Sequence, residues 1–473
     1  MRKSQKKLID ISKKTFIQVV LLLAGLMLLA ILMTHILPKG AFGVLPDGSP
    51  DYLAYHEISG AKGIPVWQGL LAPALVFLSD DGPTLLMLSL FLMVISAAFQ
   101  VMNDVGGVRA LIGAVSRRYR NRRKWLLAVV SFLFYCFGSF LGLFEEMLTL
   151  FPAAASLCVL IGYDSFTGFL CTILACGFGF ASAVTNPFTV LLASEIIGVN
   201  PLDKIWFRVI VFLVMFPLLM AFLFRYLRRL EHDPASSLTR RHDEKLRLEA
   251  PETGELEAGE GRVRSIYTVF LLGALALIVV SSLLEAVRSY TVVVLAVYFL
   301  IGGMIAGRLA ARDMKAVLKS FFGGLVSVLP TLVFIAMAAS VKFILDRGAV
   351  LPTLVHQINV LAQGRSPFMI ALTIYLIVLA LEFFVSSSTA KAVLVMGLLS
   401  AMHVGLSKSM LVLLYTFADG YTNVLFPTSP VLLIALSMIE VDYFAWVKKS
   451  LPLFLVNFLA VLVLIGLGIA IGY

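Results

Sequence analysis

The sequence predicts an all-α polytopic membrane protein built as an inverted repeat, with two re-entrant hairpins and two broken helices. Three observations carry this. Of 473 residues, 60% are hydrophobic and 14% charged, with mean hydropathy +0.96, whereas a soluble domain carries about 25% charged residues. Two stretches, SAVTNPFTV at 182–190 and DGYTNVLFPTSP at 419–430, set Asn, Thr, Ser, Asp and Pro inside long apolar runs. Proline removes a backbone donor and clashes with the carbonyl four residues back, so neither helix runs straight through. Third, the halves keep register: Pro187 and Pro427 are separated by the same 240 residues as Trp206 and Trp446.

Each element follows in turn. Residues 1–14 form a basic cytoplasmic tail, and the first membrane repeat spans 15–230. Its first helix, 15–37, is long enough to cross, and no small-residue cleavage pattern follows it, so it reads as a retained helix. Polar, Gly- and Pro-rich 38–68 is external, 69–79 lies at the interface, and 84–103 returns to the basic run 117–124. A hairpin over 124–163 has its tip at GSFLGLFEE (138–146), a polar, Gly-rich point in an apolar run. A single span there would reverse every later charge assignment. The broken helix 166–197 goes out, and 205–224 comes back to Arg225, Arg228 and Arg229, which belong inside.

Residues 231–264 read as a flexible, charged cytoplasmic linker; nine acidic residues fall within 231–261. A linking helix, 265–289, leads to the second membrane repeat, 290–473. There a hairpin over 367–405 carries the tip EFFVSSSTAK (382–391), and the second broken helix covers 409–439. This gives nine full spans and two hairpins. The extra linking helix flips the second copy, so the inversion follows from counting.

The net charge of +10 is topological, because Lys and Arg collect in short loops and flanks that stay cytoplasmic; it is no nucleic-acid signal. The four cysteines sit inside apolar runs without CxxC or Cys/His metal spacing and read as packing residues. Trp67, Trp125, Trp206 and Trp446 lie near the ends of apolar runs, where interfacial anchors belong. HExxH and GxSxG are absent, which argues against a membrane-embedded enzyme. Paired broken helices point to the binding site of a secondary transporter.

The motifs GLFEE (142–146), GYDS–TG (162–168), TNPFTV (185–190), FADGYTN (417–423) and FPTSPVLL (426–433) resemble the YfcC family, grouped with anaerobic C4-dicarboxylate carriers and arginine/ornithine antiporters in the ion transporter superfamily. The resemblance covers nearly the whole chain. It implies a scaffold domain, a mobile transport domain, and secondary transport of amino acids or carboxylates. The second tip departs from it, reading SSSTAK where the family often has a shorter Ser/Gly-rich turn.

The candidate substrate-binding residues are Glu145, Glu146, Thr185, Asn186, Ser387, Ser388, Thr389, Asn423, Thr428 and Ser429. A carboxylate near the bilayer centre costs about 2.5–3.5 kcal/mol, so Glu145 and Glu146 call for a cavity or a partner; a solvated tip is the bland alternative. Thr185, Asn186, Asn423, Thr428 and Ser429 stand where half-helices restart, and free N–H groups there suit a carboxylate. The plain alternative is a kink whose side chains satisfy loose carbonyls. Asp419, Ser182 and Glu146 are the candidates for ion coupling, with Na⁺ near Asn186 or Asp419. For Asp419 a salt bridge with Lys391 is the competing role. No cofactor beyond a coupling Na⁺ or H⁺ is expected. The expected partners are a small-molecule substrate, membrane lipid and a second copy in a homodimer.

Glu145, Glu146 and Asp419 against Lys391 leave the site negative, which suits a cationic amino acid and repels a dianion. The expected function is therefore antiport or ion-coupled carriage of a basic amino acid, of arginine/ornithine type, across the inner membrane. The alternatives are a Na⁺- or H⁺-coupled C4-dicarboxylate carrier and a cation/proton antiporter.

Overall fold

The computed structural model describes residues 13–473 apart from 47–49, 109, 112–121, 250–259, 285–286, 288–289, 312, 363, 386 and 402–404. Nearly all of the 1–14 tail and most of the basic run 117–124 lie outside it. The described chain is helical except for one two-stranded sheet, as a bilayer demands, since lipid offers the backbone no other partner. Seven described helices are long and apolar enough to cross a membrane, and the protein is a multi-pass membrane protein. Six of them carry expected spans; the seventh, Arg123–Leu141, is the first arm of the first hairpin.

Helix α1 (Lys13–Ile36) leads to β1 (Gly40–Val44) and β2 (Pro50–Glu57), antiparallel strands within the stretch read as an external loop. Helix α2 is Gly82–Asp104. The first hairpin comprises α3 (Arg123–Cys136), a π-helical turn at Phe137–Leu141, and α4 (Met147–Leu160). Gly142 reverses the chain at φ +68°, a backbone conformation that favours glycine. At 1.5 Å per residue α4 climbs about 21 Å, short of a ~30 Å core. Lys124 pairs with Glu231 at 2.8 Å, and Arg123 sits over the Tyr163 ring at 4.9 Å. Both ends of the hairpin therefore meet at one face, beside the C-terminus of α7 (Ile205–His232).

The first broken helix consists of α5 (Ser165–Ala181) and α6 (Pro187–Ile197). Helix α5 is clasped between the arms of the hairpin. A Cβ at Gly168 would meet the Ala155 backbone on α4, one at Gly179 would meet Tyr135 O on α3, and one at Gly138 would meet Cys176 O. Small residues let membrane helices approach this closely.

The linker contains α8 (Arg240–Glu249) and runs into α9 (Glu260–Leu283), which is followed by α10 (Thr291–Ala311), α11 (Met314–Ser327) and α12 (Leu329–Arg347). Helix α2 packs on α10 and α11, and α1 on α12. Helix α13 (Leu351–Ala362) lies under the sheet, where Tyr55 stacks on His356 at 4.0 Å. The second hairpin is α14 (Pro367–Glu382) with α15 (Ser388–Ala401). It flanks α16 (Lys408–Thr422), which breaks before α17 (Pro430–Met438). Helix α18 (Tyr443–Ala470) ends the chain.

Two expectations need correction. The linker is docked through its first half. Ser237 Oγ donates to Asp164 at 2.7 Å, Thr239 Oγ1 donates to Asp243 at 2.6 Å, and Asp243 accepts from Ser165 N–H and from its hydroxyl. Only 250–259 falls outside the description. Trp446, read as an interfacial anchor, is 0% exposed, edge-on to Phe169 with ring centroids 5.0 Å apart. Trp67, Trp125 and Trp206 are exposed as anchors would be.

The docked linker carries a pH signature. Burial pushes the Asp243 carboxyl up to about 6 from its usual 3.8, against the opposing pull of the Ser165 and Thr239 hydrogen bonds. A raised acid binds its proton more tightly folded than unfolded. Its contribution is therefore fully present below about 4 and lost as pH rises through about 6. Protection factors over 231–249, corrected for the intrinsic pH dependence of amide exchange, should accordingly be lower at pH 8 than at pH 5, and Asp243→Asn should flatten that difference.

Candidate functional site

The site is organised by a helix crossing. Every residue of α5 is buried, as is every residue of α16 from Ser409 to Thr422. They cross where a Cβ on Gly420 would coincide with the backbone N and Cα of Ala181, while Gly177 faces the Val424 side chain. Both breaks, 182–186 and 423–429, begin at this crossing.

The first break is stitched to the first hairpin tip. Ser139 Oγ donates to Ser182 O at 2.9 Å, and Ser139 O accepts from Val184 N–H at 3.1 Å and Thr185 N–H at 3.3 Å. Thr185 Oγ1 donates to Phe140 O at 3.2 Å. Asn186, fully buried, donates from Nδ2 to Gly138 O at 3.1 Å and accepts Phe188 N–H at 2.9 Å. Ser182 Oγ donates to Phe178 O at 2.7 Å and to the Tyr135 hydroxyl. The N–H groups of Val184 and Thr185 and the carbonyl of Ser182, freed by the break, thus find partners on the tip, as buried backbone requires. Asn186 thus caps α6, with one donor and one acceptor of its amide engaged in holding the break to the tip.

The second break is held from α18. Trp446 Nε1 donates to Val424 O, and the Tyr443 hydroxyl donates to Leu425 O, both at 2.9 Å. Asn423 Nδ2 donates to Asp419 O at 2.9 Å, one turn back in its own helix, and Ser429 caps α17 through Leu432 N–H. Thr428 is buried, and its Oγ1 has no hydrogen-bond partner among the described residues. The two asparagines therefore differ. Asn186→Ala should leave Gly138 O buried and unpaired, at about 1–3 kcal/mol, and remove a cap worth about 1 kcal/mol. Its melting temperature and its uptake should both fall. Asn423→Ala should melt near the parent, so lost uptake in that variant would mark a direct role; thermal melts alongside uptake assays separate the two.

The tips bring the charges together. Glu145 is exposed, whereas Glu146 is 4% exposed and its Oε2 has no hydrogen-bond partner among the described residues. Glu145 lies close enough to Asp419 for their charges to interact. On the second tip Ser387 is exposed, Ser388 Oγ donates to Asp419 Oδ2 at 2.7 Å, and the Thr389 side chain lies outside the described residues. Lys391 Nζ reaches Asp419 Oδ1 at 2.8 Å and also contacts Glu382 Oε2. Asp419 is thus drawn into an ion pair, the competing role foreseen for it.

Glu382, 2% exposed, was missed by sequence reasoning. It marks the boundary of the tip motif, and its only sequence signal is an acid ending an apolar run nine residues before a lysine. With it, two buried carboxylates meet the one ammonium of Lys391. Among the described residues no group of three or more His, Cys, Asp or Glu side chains is placed to hold a metal ion.

The family model of the C4-dicarboxylate anaerobic carrier (DcuC) matches residues 69–470. YfcC of Escherichia coli (strain K12), provisionally named a basic amino acid antiporter, is 26% identical over 379 residues, covering 77% of this chain and 74% of that protein. An uncharacterized Haemophilus influenzae protein is 23% identical over 368 residues, covering 77% and 71%. The crystal structure of the YdaH transporter of Alcanivorax borkumensis superposes with a TM-score of 0.46 at 18% identity, covering 96% of this chain and 99% of that one.

Proposed function

The chain belongs to the C4-dicarboxylate anaerobic carrier family, and from that membership and the charge at its centre we propose that it is a secondary antiporter or ion-coupled carrier of basic amino acids in the cytoplasmic membrane. One observation carries the choice of substrate. Among the described residues of the two tips and the crossing, Glu145, Glu146, Glu382 and Asp419 stand with a single basic side chain, Lys391. That balance attracts an ammonium or guanidinium group and repels a dianion, and in a poorly screened site like charges are costly. The name carried by the Escherichia coli relative supports the same reading.

The substrate's α-carboxylate would lie near the restart of α17, where Thr428 offers an uncommitted hydroxyl, and its cationic end near the glutamates of the first tip. In proteoliposomes, labelled arginine or ornithine should accumulate against internal unlabelled basic amino acid, with succinate and a short-chain acid inert. Succinate uptake without arginine uptake would overturn the reading in favour of a dicarboxylate carrier.

A further inference from the structure

Glu382, Lys391 and Asp419 come from three different helices, and each is at most 2% exposed. Lys391 Nζ touches both carboxylates. Ser388 Oγ donates to the far oxygen of Asp419 at 2.7 Å, and Thr422 Oγ1 approaches Glu382 Oε2 at 3.4 Å. Two carboxylates and flanking hydroxyls around one positive centre form the oxygen-rich surroundings that a hard monovalent cation takes up. Here the centre is a side-chain ammonium, fixed by its own stem. Two acids and one lysine leave a net negative charge within the membrane, which must be neutralised or carried at a cost of kilocalories. Glu382 Oε1 is buried and has no hydrogen-bond partner among the described residues, which makes it the atom open to a proton.

We propose that Glu382, Lys391 and Asp419 form a proton-coupling site in which the tethered ammonium of Lys391 occupies the place of a sodium ion, so that the carrier is driven by H⁺ and is indifferent to Na⁺. One proton binds Glu382 Oε1 from one side of the membrane, which leaves the Lys391–Asp419 pair neutral, and departs to the other side. Among the described residues, the other titratable groups that interact with the triad include Tyr415, one turn before Asp419 on α16, and Glu145 from the first tip. Tyr415 donates its hydroxyl to Ser388 O, and Glu145 belongs to the substrate region. The inference rests on the reading of the chain as a carrier, and not on which substrate it carries.

The test has two arms on the full chain. In proteoliposomes with arginine as the probe, an imposed pH gradient should drive accumulation and a Na⁺ gradient at equal pH should not. In Glu382→Gln the ratio of pH-driven flux to arginine–arginine counterflow should fall about tenfold, the scale of an ordinary coupling energy. The second arm needs no transport. The melting temperature of the purified parent should be the same in sodium and choline chloride, whereas Lys391→Ala, with its two carboxylates released, should melt higher in sodium. A Na⁺-driven parent, an undiminished pH response in Glu382→Gln, or a parent that melts higher in sodium would each overturn the proposal. Should Lys391→Ala not fold, the parent and Glu382→Gln decide. If arginine is not carried under any gradient, the substrate reading fails and the melting arm still judges this one.

Discussion

Adding one methyl group at position 420 is expected to abolish the folded protein. Gly420→Ala would place Cβ on the backbone N and Cα of Ala181 at the crossing of α5 and α16. Overpacking a core usually costs about 1–3 kcal/mol because side chains shift aside, but here the obstacle is main chain, buried on every side. Relief requires the helices to separate, which would pull both breaks apart and strip the first tip from Ser182–Asn186. The expected outcome is loss of the monodisperse peak in size-exclusion chromatography and no measurable uptake. Gly323→Ala is the matched control. Nothing lies within 4 Å of its added Cβ on α11, and alanine is the better helix former by about 0.8–1.0 kcal/mol. That variant should melt at or above the parent. Normal uptake by Gly420→Ala would show that the helices do not cross here.

The second large effect concerns charge. Glu145→Gln keeps the shape of the side chain and its hydrogen-bonding reach but removes one negative charge from an exposed position on the first tip. If Glu145 holds the cationic end of the substrate, affinity for a basic amino acid should drop at least tenfold, about 1.4 kcal/mol, because a charge-assisted hydrogen bond is lost. A neutral amino acid should be affected much less. Glu146→Gln tests the buried neighbour, whose Oε2 is unpartnered. Should that variant flatten the dependence on an ion gradient with substrate preference unchanged, Glu146 serves coupling. Parallel affinity and gradient measurements on both proteins tell these roles apart. No change in either protein would leave neither glutamate a part in binding or coupling.

The hairpins and breaks are legible in the sequence because a bilayer forbids unpaired polar backbone. TNPFTV and PTSP inside apolar runs therefore stand out without any tertiary information. Partnership is not legible in the same way. Asn186 before a proline looks the same whether it caps a helix and ties a hairpin tip or faces a ligand, and only the position of Gly138 O decides. Glu382 ends an apolar run as many interfacial acids do, and its burial depends on Lys391 folding back across the turn. The linker misleads for the opposite reason. Its charged composition resembles free chain, but Ser237 and Asp243 find partners at Asp164 and Ser165, more than seventy positions earlier. Trp446 follows the positional rule for an anchor and departs from it because Phe166 and Phe169 enclose its ring.

That burial makes the protein a reporter on itself. Of its four tryptophans, Trp67, Trp125 and Trp206 are exposed, and Trp446 alone is sealed, with its indole N–H on the carbonyl of Val424. Iodide in the water and brominated acyl chains in the lipid should extinguish the emission of the first three and spare the fourth. The residual spectrum then belongs to one ring seated on the second break. Its wavelength should shift when that carbonyl is released, giving an optical readout of the unwound segment in the unlabelled, unmutated chain.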